Sequence, residues 1–333
     1  MRRIACLLLG LFASSGSQAD PVEDFYAKKT ITIVVGMPPP DQHDNDARLL
    51  AKYMGKYVPG NPSFIVQNMP GAGGMKTVQF MASNAARDGT TFAISQRGMM
   101  MMPLLRYPDS NFDPTKFTWI GTRAGETSIV VLWHTVPVTT IQDAMKRETI
   151  VASSGGGADS NTMPFLYNET LGTKFKVVVG YAGGGDMNLA MERGEVEARI
   201  NSWSSWKVTK PEWVQSGAFV VIAQGARRNP ELGEIPSVID LAREGDDREV
   251  VRMITLGAAL GRPVTAPPGV PEERVAALRE AFVAMTKDPG LLVEASAMRM
   301  EIEPLRGQDM QQMISQVLAT PARVAARAKE FLE

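Results

Sequence analysis

Cysteine and histidine are almost missing from this chain: 333 residues hold one Cys and two His. That count excludes a disulfide framework, a multi-thiolate zinc site and an iron–sulfur cluster. Charge of one sign is lacking as well. Thirty-five Lys and Arg stand against 36 Asp and Glu, so the basic field of a nucleic-acid binder is missing and no nucleic-acid partner is expected. Beyond the first twenty residues no run is long and apolar enough to cross about 30 Å of hydrocarbon. The glycine patterns miss the nucleotide fingerprints. Gly71-Ala72-Gly73-Gly74 lacks the G-x-G-x-x-G spacing, and no G-x-x-x-x-G-K-[ST] occurs. No cofactor is expected. His43 with Asp41, Asp44 and Asp46 fits no standard metal spacing, so no metal is expected either. Neither His43 nor His134 is accompanied by a G-x-S-x-G elbow, and His134, after Val130-Val131-Leu132-Trp133, reads as the end of a strand.

What is present begins with an export signal. Arg2 and Arg3 precede an apolar stretch from Ile4 to Ala13, and Ser17-Gln18-Ala19 supplies small side chains for cleavage after Ala19. Cleavage removes Cys6, the only thiol, which suits an oxidising compartment. A soluble, exported protein is expected, and its length suggests two domains at roughly 150 residues each.

Strands and helices then alternate. The β-branched run Ile31 to Val35 ends at Gly36, and Leu50, Met54, Tyr57 and Val58 follow at helical spacing. Strands are expected at 63–67, 90–95, 150–153 and 176–180, with helices at 75–85, 163–171 and 186–193. This order predicts an α/β protein of two doubly wound lobes, with parallel sheets covered by helices on both faces. The stretches Asn229 to Pro236 and Pro263 to Pro271 read as connections. From Glu272 onward the chain reads as helical, with Val275, Leu278, Phe282 and Met285 on one face.

Four loops after strands are rich in Gly or small polar residues, where open α/β sheets bind ligands. They are Gly36 to Asp46, Ser95 to Gly98, Ser153 to Thr162 and Gly180 to Asp186. The last two run into helices, whose free N–H groups can cradle an anion. Equally, Asp44, Ser160 or Asp186 can act there as simple helix caps. The consecutive Met99 to Met102 read as core rather than as a cleft wall. Trp203 and Trp206 either stack on a ligand or anchor a helix, with Trp203 the better ligand candidate.

These features together resemble the substrate-binding components of tripartite tricarboxylate transporters, the Bug proteins. The resemblance is carried by Ile31 to Gly36, Ala47-Arg48-Leu49-Leu50-Ala51, Val66 to Gly74, Asp88-Gly89-Thr90-Thr91, Phe117 to Gly121 and Ala266 to Pro271. It implies two lobes of the type II periplasmic binding-protein kind, with the chain crossing twice. Lobe one would hold residues 20–124 and 240–333, and lobe two residues 125–239. It also implies a monomer that captures a small carboxylate-bearing solute without catalysis and delivers it to membrane permease subunits. Asp44 matches the family's Asp before the Ala-Arg pair, Ser95 to Gly98 its second loop, and Ser154 to Ser160 and Tyr181 to Asp186 the loops of lobe two.

The ligand site expected on this basis comprises Asp41, Gln42, His43, Asp44, Ser95, Arg97, Ser154, Gly155, Gly156, Asp159, Ser160, Tyr181, Gly184, Asp186 and Trp203. Arg97 would pair with the ligand carboxylate, and Gly155 to Gly157 and Gly183 to Gly185 would offer N–H groups. One departure stands out: the family usually has glycines where this chain has Pro40, Asp41 and Gln42. Prolines have no N–H, so lobe one is expected to have lost its grip on a second carboxylate. Two other readings are an exported hydrolase or isomerase using His43 with Asp41 or Asp44, and a sensor that presents a ligand to a receptor.

Overall fold

The computed structural model describes residues 20–104, 110–156, 158–225 and 228–331. The export segment with Cys6, and Gly157, lie outside the described residues.

Among these residues the strands form two sheets. The first contains β1 (Thr30–Val35), β2 (Ser63–Asn68), β3 (Thr91–Ile94), β4 (Thr118–Thr122), β10 (Val264–Ala266) and β11 (Leu305–Arg306), in the order β11-β4-β10-β3-β1-β2. The second contains β5 (Ser128–Trp133), β6 (Thr149–Ser153), β7 (Phe175–Val179), β8 (Ala198–Ser202) and β9 (Phe219–Gln224), in the order β7-β6-β8-β5-β9.

Both sheets are mixed, which corrects the expectation of parallel sheets. β1 runs parallel to β2 and β3, and β6 parallel to β7 and β8. β10, however, is antiparallel to β3 and β4, and β5 is antiparallel to β8 and β9. β5 and β10 are each the first strand after the chain has passed from one sheet to the other, so each enters from the end where its neighbours finish; β11, at the sheet edge, is also antiparallel to β4. The stretch Pro263 to Pro271, read as a connection, contains β10. Three residues between prolines give no periodic signal, yet all three are buried inside the sheet.

Packing explains the rest of the architecture. Ile31, Ile33 and Val35 of β1 point into one core with Phe92, Leu278 and Phe282. The helix Glu272–Met285 buries Leu278, Ala281, Phe282 and Met285, while Val275 is only partly covered. Gly121 is needed here, because a Cβ at that position would lie 2.4 Å from the Phe282 ring. A second core under the other sheet gathers Ile129, Val131, Trp206 and Trp213. Met100, Met101 and Met102 are buried in a third cluster with Trp119 and Tyr167, in line with the core reading for these three, while the Met99 side chain lies outside what is described. Each such fully buried side chain contributes about 1.5–3 kcal/mol. Among the described residues no helix is long and apolar enough to cross a membrane.

Candidate ligand site between the two sheets

The carboxyl ends of β1, β3 and β8, with the helix starts after β6 and β7, converge on one cavity of about 40 Å³. Met37, Asp41, Gln42, His43, Gln96 and Arg97 face it from the first sheet. Asp159, Ser160, Gly184, Arg199, Asn201, Ser202 and Ser205 face it from the second, and Arg262 closes one end. A wider chamber of about 490 Å³ lies beyond Asp41, Gly184, Arg199 and Ser205, which border both spaces.

On the first-sheet side the helix Gln42–Tyr53 begins earlier than the sequence suggested, so His43 and Asp44 sit on its first turn. Asp41, not Asp44, is the cap, and its Oδ1 accepts from the His43 N–H at 2.8 Å. The same oxygen meets His43 Nδ1 at 2.6 Å. Burial pushes the Asp41 carboxyl up, but the His43 charge, the two His43 hydrogen bonds and Arg262 outweigh it, leaving the pKa lowered to about 2. Asp44 is turned elsewhere, held by Arg48 at 2.8 Å and by Asn68 at 3.0 Å. The sequence left His43 two acid partners; the structure forms only the pair with Asp41.

On the second-sheet side the helices Asp159–Leu171 and Gly184–Glu192 start without a side-chain cap. Ser160 and Asp186 therefore do not act as caps. Arg97 spans the two sides. Its Nη2 meets Asp159 at 2.6 Å and donates to the Ser128 hydroxyl at 2.8 Å. Three further contacts cross the cleft. A Cβ on Gly73 would lie 2.4 Å from the Gly155 carbonyl, one on Gly156 would lie 2.5 Å from the Ala72 carbonyl, and one on Gly183 would lie 3.1 Å from Pro38. The glycines of both sides are thus used for close approach of one backbone to the other.

Behind the cavity, where the chain first crosses between sheets, Arg123, Glu126, Arg262 and Asp46 form a buried charge network. Arg123 Nε meets Asp46 at 2.8 Å, and Arg262 pairs with Glu126. Ser204 donates to Glu126 at 2.5 Å, and Arg262 donates to Ser202 at 2.9 Å. Burial raises the Glu126 pKa, but Arg262, then Arg123 and Arg97, reverse this and bring it to about 2.

The other expected site residues divide. Ser95 is fully buried under the cavity. Gly155 and Gly156 form the cross-cleft contact beside it rather than its lining, Ser154 bonds Ser160 and does not line it, and Asp186 faces solvent. Tyr181 packs against the second core. Trp203 borders a separate surface pocket, where its Nε1 donates to Glu231 at 2.5 Å.

Gln96 belongs to the expected loop Ser95 to Gly98, whereas Arg199, Asn201, Ser202, Ser205 and Arg262 were not expected in the site. For Arg199 and Asn201 a signal existed, since they alternate as polar residues in an otherwise apolar strand. Arg199 is buried over the Trp206 ring, 5.2 Å from its centroid, and donates to the Gly184 carbonyl at 3.2 Å and to Asn188. Burial lowers its pKa to about 10, opposed by Asp41.

Comparison with known proteins agrees with this architecture. The family model described as the tripartite tricarboxylate transporter family receptor matches residues 47–328. A Cupriavidus necator protein described as "UPF0065 protein in gbd 5'region" is 28% identical over 242 residues, covering 69% of this chain and 70% of that protein. Among solved structures, the periplasmic binding protein BugD aligns with a TM-score of 0.73 at 21% identity, covering 91% of this chain and 98% of its own. MatC from Rhodopseudomonas palustris, solved with bound malate, gives 0.70 at 19% identity, covering 92% and 99%. Rpa4515 from R. palustris, solved with adipate, gives 0.69 at 24% identity, covering 90% and 97%. These structural likenesses establish the two-lobed periplasmic binding-protein fold. With most of its length matched by the family model, the chain belongs to the tripartite tricarboxylate transporter receptor family.

Proposed function

We propose that this protein is a periplasmic receptor that captures a small carboxylate-bearing organic solute between its lobes and delivers it to a tripartite tricarboxylate-type permease. One observation carries the reading. Three guanidinium groups line a cavity between the two sheets, and while Arg97 and Arg262 are paired with Asp159 and Glu126, Arg199 is left without a carboxylate partner among the described residues. Guanidinium–carboxylate bonds are charge-assisted and among the strongest a site can offer. Family members with this fold, solved with malate and adipate, support the same ligand class.

The lobes, residues 20–124 with 240–333 and residues 125–239, close about the crossings near Glu126 and Ser237. A ligand favours the closed state only through contacts it makes there and not in the open one. The site residues lining the cavity, Asp41, Gln42, His43, Arg97, Asp159, Ser160 and Gly184, supply those contacts. Export with cleavage after Ala19 places the receptor in the periplasm, and N-terminal sequencing of the secreted protein should begin at Asp20.

The test is mass spectrometry of small molecules released from natively purified protein, followed by a thermal-shift screen with malate, adipate and monocarboxylates. Recovery of an unaltered organic acid that raises the melting temperature supports the receptor. A screen without any shift overturns it, and recovery of a converted acid points instead to acid–base chemistry at His43 and Asp41. Delivery is tested by deletion in the native host, which should abolish uptake of that acid.

A further inference from the structure

The charges that face the cavity are mostly spoken for. Arg97 is held by Asp159, His43 by Asp41, and Arg262 by Glu126. Arg199 is different. Among the described residues it has no carboxylate within 4.0 Å, although it is 5% exposed. Asp41 acts on it only from beyond ion-pair distance, and a buried cation with no directly bonded anion costs several kcal/mol, which a paired anion largely restores. Its neutral contacts, Gly184 and Asn188, engage Nη1, while Nε has no partner.

Two residues further along β8, the amide Nδ2 of Asn201 is also buried and without a partner. Residues i and i+2 of a strand share a face, so both donors project on one side of β8, and both residues line the cavity. Unmet buried donors of this kind carry a penalty that an incoming acceptor removes. Gly184, which borders Arg199, also begins a helix with no side-chain cap.

We propose that Arg199, with Asn201 beside it on β8, is the receptor for the anionic end of the ligand, and that Arg97 serves as a cross-lobe latch closed on Asp159. The assignment rests on the receptor reading above and names the side chains that select a carboxylate over its neutral isostere. Trp206 underneath holds the guanidinium plane, so that the fork is fixed before the ligand arrives.

Acetate and acetamide are the probes, since they share a shape and differ in charge. Thermal shift of the full mature chain is followed while either replaces an inert salt at constant ionic strength. Wild type should gain about 2 °C at ten times the acetate dissociation constant and nothing from acetamide. Arg199→Gln should lose the acetate shift, Arg199→Lys should weaken acetate binding about tenfold, and Asn201→Ala should reduce the shift. Arg306→Gln, which removes an exposed arginine paired with Asp309, should keep the shift whole.

An acetate shift that survives in Arg199→Gln, or is missing in wild type, overturns the assignment even when organic acids bind. Should Arg199→Gln fail to fold, an unchanged shift in both Arg199→Lys and Asn201→Ala overturns it equally. If acetate behaves as expected but no organic acid binds, the receptor reading fails and the anion site stands.

Discussion

Arg97 and Asp159 meet at 2.6 Å across the cleft, one after β3 of the first sheet and the other at the start of the helix that follows β6 of the second. Both side chains are buried, so the pair joins the lobes with the strength of a desolvated contact rather than a surface one. Asp159 sits in the first turn of its helix, where the dipole favours a negative charge.

Removing one partner of such a pair is therefore costly. Asp159→Asn is expected to destabilise the protein by about 3 kcal/mol in urea denaturation, because Arg97 loses its ion-pair partner and keeps the neutral Ser128 hydroxyl. Small-angle scattering of the ligand-free variant should show a larger radius of gyration. A loss below about 1 kcal/mol with unchanged scattering would mean that the pair neither stabilises the protein nor holds the lobes.

Acid sensitivity follows from Glu126. Its folded-state pKa of about 2 lies below the ordinary value of 4.5. The charged form is thus favoured by folding, the stabilisation is complete above about pH 4.5, and it is lost as pH falls toward 2. The shift corresponds to roughly 3 kcal/mol. Glu126→Gln should be less stable than wild type at pH 7 by about that amount, with the two curves converging near pH 2. Parallel curves across that range would show that another carboxylate carries the acid transition.

How much of this was legible from sequence differs by element. The run Thr30–Val35 announces a buried strand, because β-branched residues in unbroken sequence have few other uses. The strand Val264–Ala266 does not, since three residues cannot display a period and the prolines around it suggest a loop. Asp41, His43 and Arg97 are visible as polar residues after strands. What they bond to is not visible, because Asp159 lies 62 positions away and pairs only through tertiary closure. Arg199 shows in the sequence only as a polar residue alternating with apolar ones; neither its burial nor the lack of an acid beside it is visible there.

Closure can be tested at glycine. Gly73 has φ +63° and a Cβ there would lie 2.4 Å from the Gly155 carbonyl across the cleft, whereas Gly217 has φ +68° with nothing within 4 Å. Alanine at either position meets similar backbone strain, about 1 kcal/mol. Only Gly73→Ala should also hold the lobes apart. It is expected to weaken binding of the natural ligand at least about tenfold, with Gly217→Ala within about twofold of wild type in calorimetry. Equal affinities for the two variants would show that this contact does not form in the bound state.

The chemistry of the proline loop bears on which ligand the cavity can accept. Pro38 to Pro40 contribute no N–H donors, and Pro38 is spent on packing against Gly183. What this side presents instead is oxygen: the Asp41 carboxylate, ionised down to about pH 2, and the Gln42 Oε1, which is buried and unpartnered. A second carboxylate placed there would meet like charge in a desolvated space, whereas a donor would satisfy Gln42. Succinamate and succinate differ only by an amide in place of one carboxylate, so they isolate this term. Succinamate is expected to raise the melting temperature more than succinate at equal concentration and pH 7. Gln42→Leu removes the acceptor and should narrow the difference, while Arg199→Gln should weaken both acids together. A larger shift with succinate would show that the loop accepts an anion despite its prolines.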